Sequence, residues 1–433
     1  MSRPLPSTGA VTGILEAIGF FSDPDFATKR FTEYGDIFET SLIGQRLVFI
    51  RGDEAISDLL SQGDAVEGWW PESVRQLLGS QSLANRNGAE HKARRRVVGQ
   101  LFSTAALKRY TPGIVGLVEE LGQELLQETQ PIRLTDRMRR FAFRVIATTV
   151  LGLEGSDRDA LFRDFEIWTQ ALFSVPIAIP GTPFANALAA RRRLLDRLRD
   201  VLEQADQNRG GLDLLAGGLD EAGEPLTTDD LVEQLLLLLF AGYETTASSL
   251  SCLMRACLIE PQVEPWLREE LDGLEWPPKG DPTTAFDGIR SPRLQAVVDE
   301  VMRMTPPVGG FFRRTCRPIQ LADIRIPKDH VVQVALASSN RAGRSDLNVF
   351  RPQRHLDGLE KPTLLPFGGG ERVCLGKALA QLEIRLMVVG LLKSVQLSLA
   401  GDQNLDLQLI PSPSPKDGLM VVAKRYAPAD ARA

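Results

Sequence analysis

The spacing of apolar and polar residues predicts a chain that is mostly helical. Apolar positions recur with a helical period in several charged segments, for which we predict helices over 90–102, 106–128, 136–152, 185–208, 261–274, 291–307 and 376–395. A further segment, 231–250, is apolar almost all round, which is typical of a helix buried in a large domain. Thr227 or Thr228 precedes it as an N-cap. Pro112 is expected to break the second helix or to lie in its first turn.

Strand-like patterns are confined to the start and the later part of the chain. Residues 36–52 are predicted to form two short strands about Gly44, and the pattern between 308 and 340 changes toward strands. The tail 407–426 is predicted to form a hairpin with a proline-rich turn. Strands and helices do not alternate, which argues against a doubly wound parallel sheet. We therefore predict a mainly α fold with a smaller β region.

Composition narrows the class of protein. The chain has 433 residues, 43% of them hydrophobic and 24% charged, as in an ordinary globular protein with a large core. Its net charge of −6 argues against nucleic acid as a partner. The four cysteines form no C-x-x-C pair and the three histidines form no H-E-x-x-H motif. No stretch looks like a signal peptide or a membrane span, so we expect a cytoplasmic protein without a transmembrane anchor. We also expect it to be a monomer.

The most informative stretch is PFGGGERVCLG, residues 366–376. A thiolate at Cys374 can act as a nucleophile or as a metal ligand, and no histidine motif accompanies it as a base. The three preceding glycines permit positive φ angles and close approach of a flat partner. Backbone N–H groups around the sulfur, and a helix beginning near Leu375, would stabilise the thiolate. These features favour a cysteine that ligates haem iron.

The order Phe367-x-x-Gly370-x-Arg372-x-Cys374-x-Gly376 resembles the haem-ligand signature of the cytochrome P450, or haem-thiolate monooxygenase, family. The alternative is a structural cysteine after a glycine turn. The resemblance implies a triangular-prism fold in which haem b, iron protoporphyrin IX, lies between the long central helix and the cysteine loop. It also implies a single haem domain over residues 1–433, with Cys374 as the iron ligand. The residues that it implies at the cofactor in this stretch are Phe367, Gly368, Arg372, Cys374 and Gly376.

Two further segments resemble family motifs that support the cysteine loop. Glu300 and Arg303 are three residues apart on a predicted helix, and such pairs are usually solvated. The segment FRPQRHL, 350–356, resembles the one that supplies the family's second arginine, here Arg354. The resemblance implies a buried Glu300–Arg303–Arg354 network with a structural role.

The long apolar helix carries AGYETT, residues 241–246, which resembles the family's oxygen-activation motif. The resemblance implies that Glu244 and Thr245 are catalytic and relay protons for O–O cleavage. Gly242 is expected to lie where the helix presses on the haem. Thr245 is expected to bond back to a backbone carbonyl or a water and to open the helix locally. The alternative is a surface glutamate near the end of a helix.

The haem propionates are assigned by the same resemblance. His91 and Arg95 are one helical turn apart in an early helix, as in the family's propionate-binding pair. Arg314 resembles a further propionate-binding arginine, with Arg313 as an open alternative. The neighbouring Lys92, Arg94 and Arg96 are expected to form a solvated basic face.

Within the family, the chain resembles the branch of retinoic-acid hydroxylases, their cyanobacterial relatives and plant steroid oxidases. This implies a long apolar substrate such as a retinoid, terpenoid or steroid, which the enzyme hydroxylates or epoxidises. Phe311 stands where relatives of that branch often have glycine, so its ring is expected to reshape the pocket. The candidate pocket residues, some of which are alternatively plain core, are Trp69, Trp70, Leu172, Phe173, Phe240, Ala241, Val308, Phe311 and Ser412.

The resemblance also implies O2 as co-substrate and an external electron donor. No segment follows that would hold a fused flavin reductase, so we expect a ferredoxin or flavodoxin with its own reductase. Lys92, Arg94, Arg96 and Lys377 are the candidate basic docking residues. Two rival functions remain open at this point: a haem-thiolate isomerase or peroxygenase on the same fold, and a non-catalytic haem sensor. Both have less need of the Glu244–Thr245 pair.

Overall fold

The computed structural model describes residues 3–9, 13–23, 25–42, 45–172, 174–204, 210–343, 345–356 and 364–427. The chain forms two compact units, one drawn from Met1–Trp70 and Asp299–Cys374 and the other from Pro71–Val298 and Leu375–Ala433.

The helices within the described residues are α1 Gly13–Ser22, α2 Phe26–Tyr34, α3 Asp53–Ser61, α4 Glu72–Leu78, α5 Gly88–Gly99, α6 Thr104–Gln127, α7 Leu134–Val145, α8 Gly155–Thr169, α9 Pro183–Glu203, α10 Thr228–Ile259, α11 Val263–Leu271, α12 Ala285–Gly288, α13 Pro292–Met304, α14 Leu336–Ser339 and α15 Lys377–Ser394. The strands there are β1 Ile37–Leu42, β2 Gln45–Ile50, β3 Val66–Gly68, β4 Ile132–Arg133, β5 Gly310–Thr315, β6 Ile319–Leu321, β7 Ile324–Ile326, β8 Val331–Ala335, β9 Val395–Leu399, β10 Leu407–Gln408, β11 Ser414–Pro415 and β12 Met420–Arg425.

The first unit is built on a five-stranded sheet with the order β1-β2-β8-β5-β3. The β2–β8 pair is parallel and the other neighbours are antiparallel. Alternate residues of the sheet enter separate apolar clusters, with Val48 and Val334 in one and Phe38 and Phe49 in the other. The Phe38 and Phe49 rings stack with their centroids 5.2 Å apart. This alternation explains why two strands were predictable in 36–52, although Gly44 lies outside the described residues.

The second unit is organised around α10, which packs against α7, α9 and α15. Thr227 caps α10, since its Oγ accepts the Asp230 N–H at 3.1 Å. By length and composition α10 could cross a bilayer, but 67% of its most apolar window is buried inside the protein. Burial on nearly all sides accounts for the apolar sequence of this helix.

Several elements depart from the sequence predictions, among them the short helices α1 to α4, for which no helix was predicted. Pro112 lies inside α6 and neither breaks it nor starts it, because Ser103 caps the helix earlier and buried residues continue on both sides of the proline. Helix α8 was not predicted, although its Phe165 and Trp168 are buried. The tail is more than a hairpin. A two-residue pair joins β10 to β11, whereas β12 pairs with β9 and β4 in a separate three-stranded sheet.

Candidate functional site

The cysteine loop of the first unit is a tight backbone turn. Gly368 and Gly370 have φ angles of +69° and +67°, which residues with a β-carbon rarely adopt. Gly369 is extended, but a β-carbon there would lie 2.8 Å from Leu60 Cδ1. The Cys374 N–H donates to the Phe367 carbonyl at 2.8 Å, so this N–H closes the loop instead of pointing at the sulfur. The loop presents Cys374 as an exposed residue outside any disulfide.

A pair of arginines lies beside this loop in the same unit. The Arg372 guanidinium packs against the end of β3, where a β-carbon on Gly68 would lie 2.3 Å from its Cζ. Gly68 is paired across the sheet with Arg313. Burial, together with the like charge of Arg372, lowers the pKa of Arg313 to about 10. The two cations therefore lie close together, which suits an anionic partner.

Arg314 has a different environment from Arg313, because adjacent residues of a strand face opposite sides. Its Nε donates to Glu67 Oε1 at 2.6 Å, and its side chain is 48% exposed. Arg313 is 9% exposed, and none of the described carboxylates forms an ion pair with it. The charge of Arg314 is thus already compensated, whereas that of Arg313 is not.

The structure brings Glu300, Arg303 and Arg354 together in the first unit, fully buried. Arg303 makes two bonds to the Glu300 carboxylate at 2.8 and 2.9 Å, and Arg354 Nε adds a third at 3.1 Å. Burial opposes the charge of Glu300, but the bonds from Arg303, His355 and the Arg351 N–H outweigh it and lower its pKa to about 2. The carboxylate therefore stays ionised although its side chain is inaccessible to solvent.

The remaining donors of this network hold irregular backbone. Arg303 donates to the carbonyls of Asn340 and Leu347 at 3.0 and 2.8 Å, and Arg354 donates to the carbonyl of Val349 at 3.1 Å. These bonds fix the loop segment between α14 and the cysteine loop. His355, whose Nε2 lies 2.9 Å from Glu300 Oε2, belongs to the network but was missed from the sequence. Its position directly after Arg354 was the only available signal.

In the second unit, the acid–alcohol pair of α10 has two local partners. Thr245 Oγ donates to the Ala241 carbonyl at 2.6 Å, and the Glu244 carboxylate accepts from Arg139 at 3.0 Å. Although burial opposes its charge, the nearby Glu244 raises the pKa of Arg139 above its ordinary value. Arg139, on α7, was not predicted as part of the site. The helix remains regular through this motif and is not opened.

Gly242 has a different role from the one expected. A β-carbon at this position would lie 2.8 Å from Ile146 Cδ1, so the missing side chain makes room for Ile146. Ile146 begins a five-residue π-turn, Ile146–Val150, that continues α7. The close approach is therefore between two helices of this unit, and the β-carbon direction of Gly242 is not left for a cofactor.

Helix α5 carries the predicted His91 and Arg95 one turn apart, with His91 buried and Arg95 partly buried. Lys92 and Arg96 are exposed, as expected of a solvated face. Arg94 contradicts that expectation. It is 5% exposed and pairs with Asp230 at 2.8 Å and with Glu221. The buried carboxylate of Asp230 requires this cation, and the more exposed Glu221 adds a second bond, so Arg94 is a structural residue and not part of a docking face.

The candidate pocket residues fall in both units. In the first, Trp69 and Trp70 are half-buried, Val308 is exposed, and Phe311 is partly buried. In the second, Leu172 and Ser412 are buried, Phe240 is partly buried against Trp168, and Ala241 is exposed. Phe173 lies outside the described residues.

The loop that precedes β11 is attached to α10. Ser248 Oγ donates to the Pro413 carbonyl at 2.6 Å, and Cys252 Sγ lies 3.5 Å from the same oxygen. At the tip of this loop, Leu409 and Ile410 are each 43% exposed. The base of the loop is thus fixed by polar bonds while its apolar tip faces outward.

The comparisons define the class of protein. The family model for Cytochrome P450 matches residues 5–426, so the chain belongs to the cytochrome P450 family. A putative cytochrome P450 120 of Synechocystis sp. is 35% identical over 421 residues, covering 94% of this chain and 93% of that protein. Cytochrome P450 26B1 of Mus musculus is 31% identical over 419 residues, covering 92% and 81%.

Solved structures agree with the family assignment. A retinoic acid-bound cyanobacterial CYP120A1 matches with a TM-score of 0.88 and 32% identity, covering 98% of this chain and 100% of that one. A second cytochrome P450, CYP102L1, shares the fold with a TM-score of 0.84 at 20% identity. The predicted family and mainly α fold are therefore confirmed.

The family binds haem b and its members act as monooxygenases. The residues of the first unit suit such a cofactor. Positive-φ glycines present an exposed cysteine, and two adjacent guanidiniums, one against a glycine, provide for carboxylates. The cysteine and the guanidiniums of the first unit thus fit a haem that is held by a thiolate and by cations at its carboxylates. The second unit, taken by itself, carries an acid and an alcohol on the regular helix α10 and a histidine and an arginine on α5.

Proposed function

We propose that this monooxygenase hydroxylates or epoxidises a long apolar substrate of the retinoid type, as a single haem domain over residues 1–433. The observation that carries the proposal is the match to a relative with retinoic acid bound, over 98% of this chain. Exposed apolar residues add support in each unit: Val308 in the first, and Leu409 and Ile410 in the second. Ligand sites are lined mostly by apolar side chains, so each of these surfaces, within its own unit, is a candidate contact for such a substrate.

Cys374 is proposed as the iron ligand. The backbone turn with positive-φ glycines supports this role, since it leaves the sulfur side of the loop accessible. Haem iron bound by a thiolate supplies the oxygen chemistry, because the ligand's electron density favours O–O cleavage. Phe367 contributes by closing the loop through its carbonyl. The Glu300 network contributes by fixing the preceding backbone, so it is structural and not catalytic.

Glu244 and Thr245 are proposed to handle protons. The Thr245 hydroxyl donates its hydrogen bond to the Ala241 carbonyl. Rotation about one side-chain bond would redirect this hydrogen toward another acceptor. The Glu244 and Arg139 side chains are 15% and 27% exposed, so their ion pair, which is next to Thr245 in the sequence, is accessible to solvent. We infer that Arg139 orients the Glu244 carboxylate through their hydrogen bond of 3.0 Å.

For the propionates we propose His91, Arg95, Arg372 and Arg313, with Arg313 in place of Arg314. The uncompensated charge of Arg313 beside Arg372 supports this choice, whereas Glu67 already neutralises Arg314. Cationic and donor groups of this kind bind carboxylates through charge-assisted hydrogen bonds.

We propose that electrons come from a separate ferredoxin or flavodoxin and that the protein works in the cytoplasm. Such donors are acidic, and exposed cations favour their association. Lys92, Arg96 and Lys377 are exposed and keep this proposed role. Arg94 is removed from the set because it is buried in ion pairs.

Spectral titration of the purified haem protein tests the substrate class. We expect all-trans retinoic acid to shift the Soret band toward the high-spin form at lower concentration than a steroid, a monoterpene or a saturated fatty acid. If only a non-retinoid ligand produces the shift, the retinoid proposal is wrong and the monooxygenase assignment is unaffected.

The role of Cys374 is tested with the carbon monoxide adduct of the reduced protein. We expect the red-shifted Soret band of thiolate ligation, and its loss in Cys374→Ser. The exposed Cys316 is the matched control, and Cys316→Ser should leave the band unchanged. A histidine-type band in the unmodified protein would contradict the ligand assignment.

The role of Thr245 is tested by coupling. We expect Thr245→Ala to consume reducing equivalents without matching product and to release hydrogen peroxide, whereas Thr245→Ser should stay largely coupled because it keeps the hydroxyl. Equal coupling in all three proteins would refute the proton role of Thr245.

A further inference from the structure

Phe311 lies directly beneath a cationic side chain. Residues 311 and 313 are on the same face of β5, and the Arg313 guanidinium carbon lies 4.6 Å from the centroid of the Phe311 ring. This is within the range of a cation–π interaction. Phe312, between them, faces the other side, where its ring meets Trp69 edge-on at 5.4 Å. Two adjacent phenylalanines therefore have separate partners.

Arg313 has few other restraints on its position. It is buried, and its Nη1 donates to the Phe312 carbonyl at 2.8 Å. Among the described residues no carboxylate pairs with it, and the neighbouring charge is the like charge of Arg372. A buried guanidinium next to another guanidinium is repelled by it unless another interaction holds it in place. The ring of Phe311 supplies an attractive surface on one side.

The Arg372 guanidinium is positioned by packing against a glycine. Arg372 occupies the space over Gly68 that a β-carbon would fill, and Gly68 is the cross-strand partner of Arg313. One cation of the pair is thus located by a glycine and the other by an aromatic ring. Both are fixed by the first unit's own residues. The pair is therefore arranged for a carboxylate before that carboxylate binds.

We propose that Phe311 is a positioning residue, whose ring holds Arg313 in place beside Arg372 so that the two arginines form a prearranged receptor for a haem propionate. This rests on the proposed function, since it takes haem as the ligand. The ring does not touch the reacting atoms in this account. Its effect passes through Arg313.

The rate of haem loss measures this effect in the intact holoprotein. Haem transfer to excess apomyoglobin is followed for the unmodified protein and for Phe311→Leu, Phe311→Met and Phe311→Tyr. A cation–π contact of ordinary strength corresponds to roughly a 2- to 30-fold change in rate. We expect Leu and Met, which fill similar volume without a π face, to speed haem loss within that range. Tyr should restore the original rate.

The neighbouring phenylalanine provides the matched control. Phe312→Leu removes a ring of the same size from the same strand but leaves the ring under Arg313, so we expect less than about a 2-fold change. A double-mutant cycle with Arg313→Gln separates positioning from general packing. If Phe311 acts through Arg313, Phe311→Leu should add no further increase in the Arg313→Gln background.

The outcomes distinguish the inference from the function on which it rests. Additive rates in the cycle, or a Phe311→Tyr protein that loses haem as fast as Phe311→Leu, overturn the positioning role even when the thiolate spectrum is present. Unchanged haem loss in both Leu and Met variants does the same. A chain that takes up no haem with a thiolate spectrum overturns the proposed function and the inference together.

Discussion

Removing the charge of Glu300 should lower the free energy of unfolding far more than breaking an exposed ion pair with the same three-residue spacing. The change Glu300→Gln keeps the size of the side chain but leaves the Arg303 guanidinium buried without its carboxylate and leaves Arg354 only its 3.4 Å ion pair with Asp346. Removing one partner of a buried ion pair typically costs about 3–5 kcal/mol. The backbone carbonyls that the two arginines bind would also lose their fixed donors.

The titration of Glu300 gives a second measure of the same quantity. Its pKa falls from 4.5 to about 2. At about 1.4 kcal/mol per pKa unit, the network stabilises the ionised form by roughly 3 kcal/mol. Glutamine resembles the protonated acid, so the loss expected for Glu300→Gln is of this size. The pKa route thus agrees with the lower end of the range of about 3–5 kcal/mol expected for a broken buried ion pair.

Urea unfolding followed by circular dichroism measures this difference, and the chain contains its own control. Glu72 and Arg75 have the same three-residue spacing on α4, but their side chains are 55% and 57% exposed. We expect the midpoint for Glu300→Gln to fall by about 1 M urea, given a slope of a few kcal/mol per molar. Glu72→Gln should shift it by a small fraction of that, because exposed pairs contribute about 0–1 kcal/mol.

The dependence on pH has a definite sign. The pKa of Glu300 is lower in the folded protein than in the unfolded chain, so its stabilisation is complete above about pH 4.5 and is lost as the pH falls toward 2. The difference between the unmodified protein and Glu300→Gln should shrink over that window. Equal midpoints for the two proteins at pH 7, or equal shifts for Glu300→Gln and Glu72→Gln, would refute the reasoning.

Two further predictions concern helix packing in the second unit. Gly242→Ala should lower the unfolding midpoint by the equivalent of about 1–3 kcal/mol, because the new methyl overlaps Ile146 Cδ1. Adding Ile146→Val, which removes that atom, should recover most of the loss, and no recovery would locate the clash elsewhere. Arg94→Gln should cost about 3 kcal/mol by leaving Asp230 buried without its cation, measured in the same way. Arg96, two residues later on α5, is exposed, so Arg96→Gln should leave the unfolding midpoint unchanged. It should instead weaken the binding of an acidic electron donor, measured by titration.

Features of the site that depend on neighbouring residues were easier to predict from the sequence than those that depend on contacts between distant residues. The cysteine loop was predictable because its chemistry lies within eleven consecutive residues, and its glycine conformations follow from local backbone sterics. The choice between Arg313 and Arg314 stayed open in the sequence, because it depends on which side of β5 lies near Arg372, a residue much later in the chain.

Residues whose role depends on distant partners were not predictable. Arg94 resembles its exposed neighbours in a basic stretch, and only the folded structure shows Asp230 and Glu221 around it. Gly242 was expected to lie where the helix presses on the haem, but the group nearest to its β-carbon direction is Ile146 of another helix. The only signal for His355 is its position directly after Arg354, and Arg139 has none, because its partner Glu244 is 105 residues away in the sequence.

The attachment of Pro413 to α10 has a consequence for engineering new substrate preferences. The carbonyl of Pro413 is held by Ser248, which lies one turn beyond Thr245 on the same helix. Randomising the base of that loop would therefore disturb the helix that carries Thr245, the proposed proton donor. Leu409 and Ile410 at the exposed tip have no such bond through their side chains to α10 among the described contacts. A library confined to those two positions would vary the apolar surface without removing the bond that attaches the loop to α10.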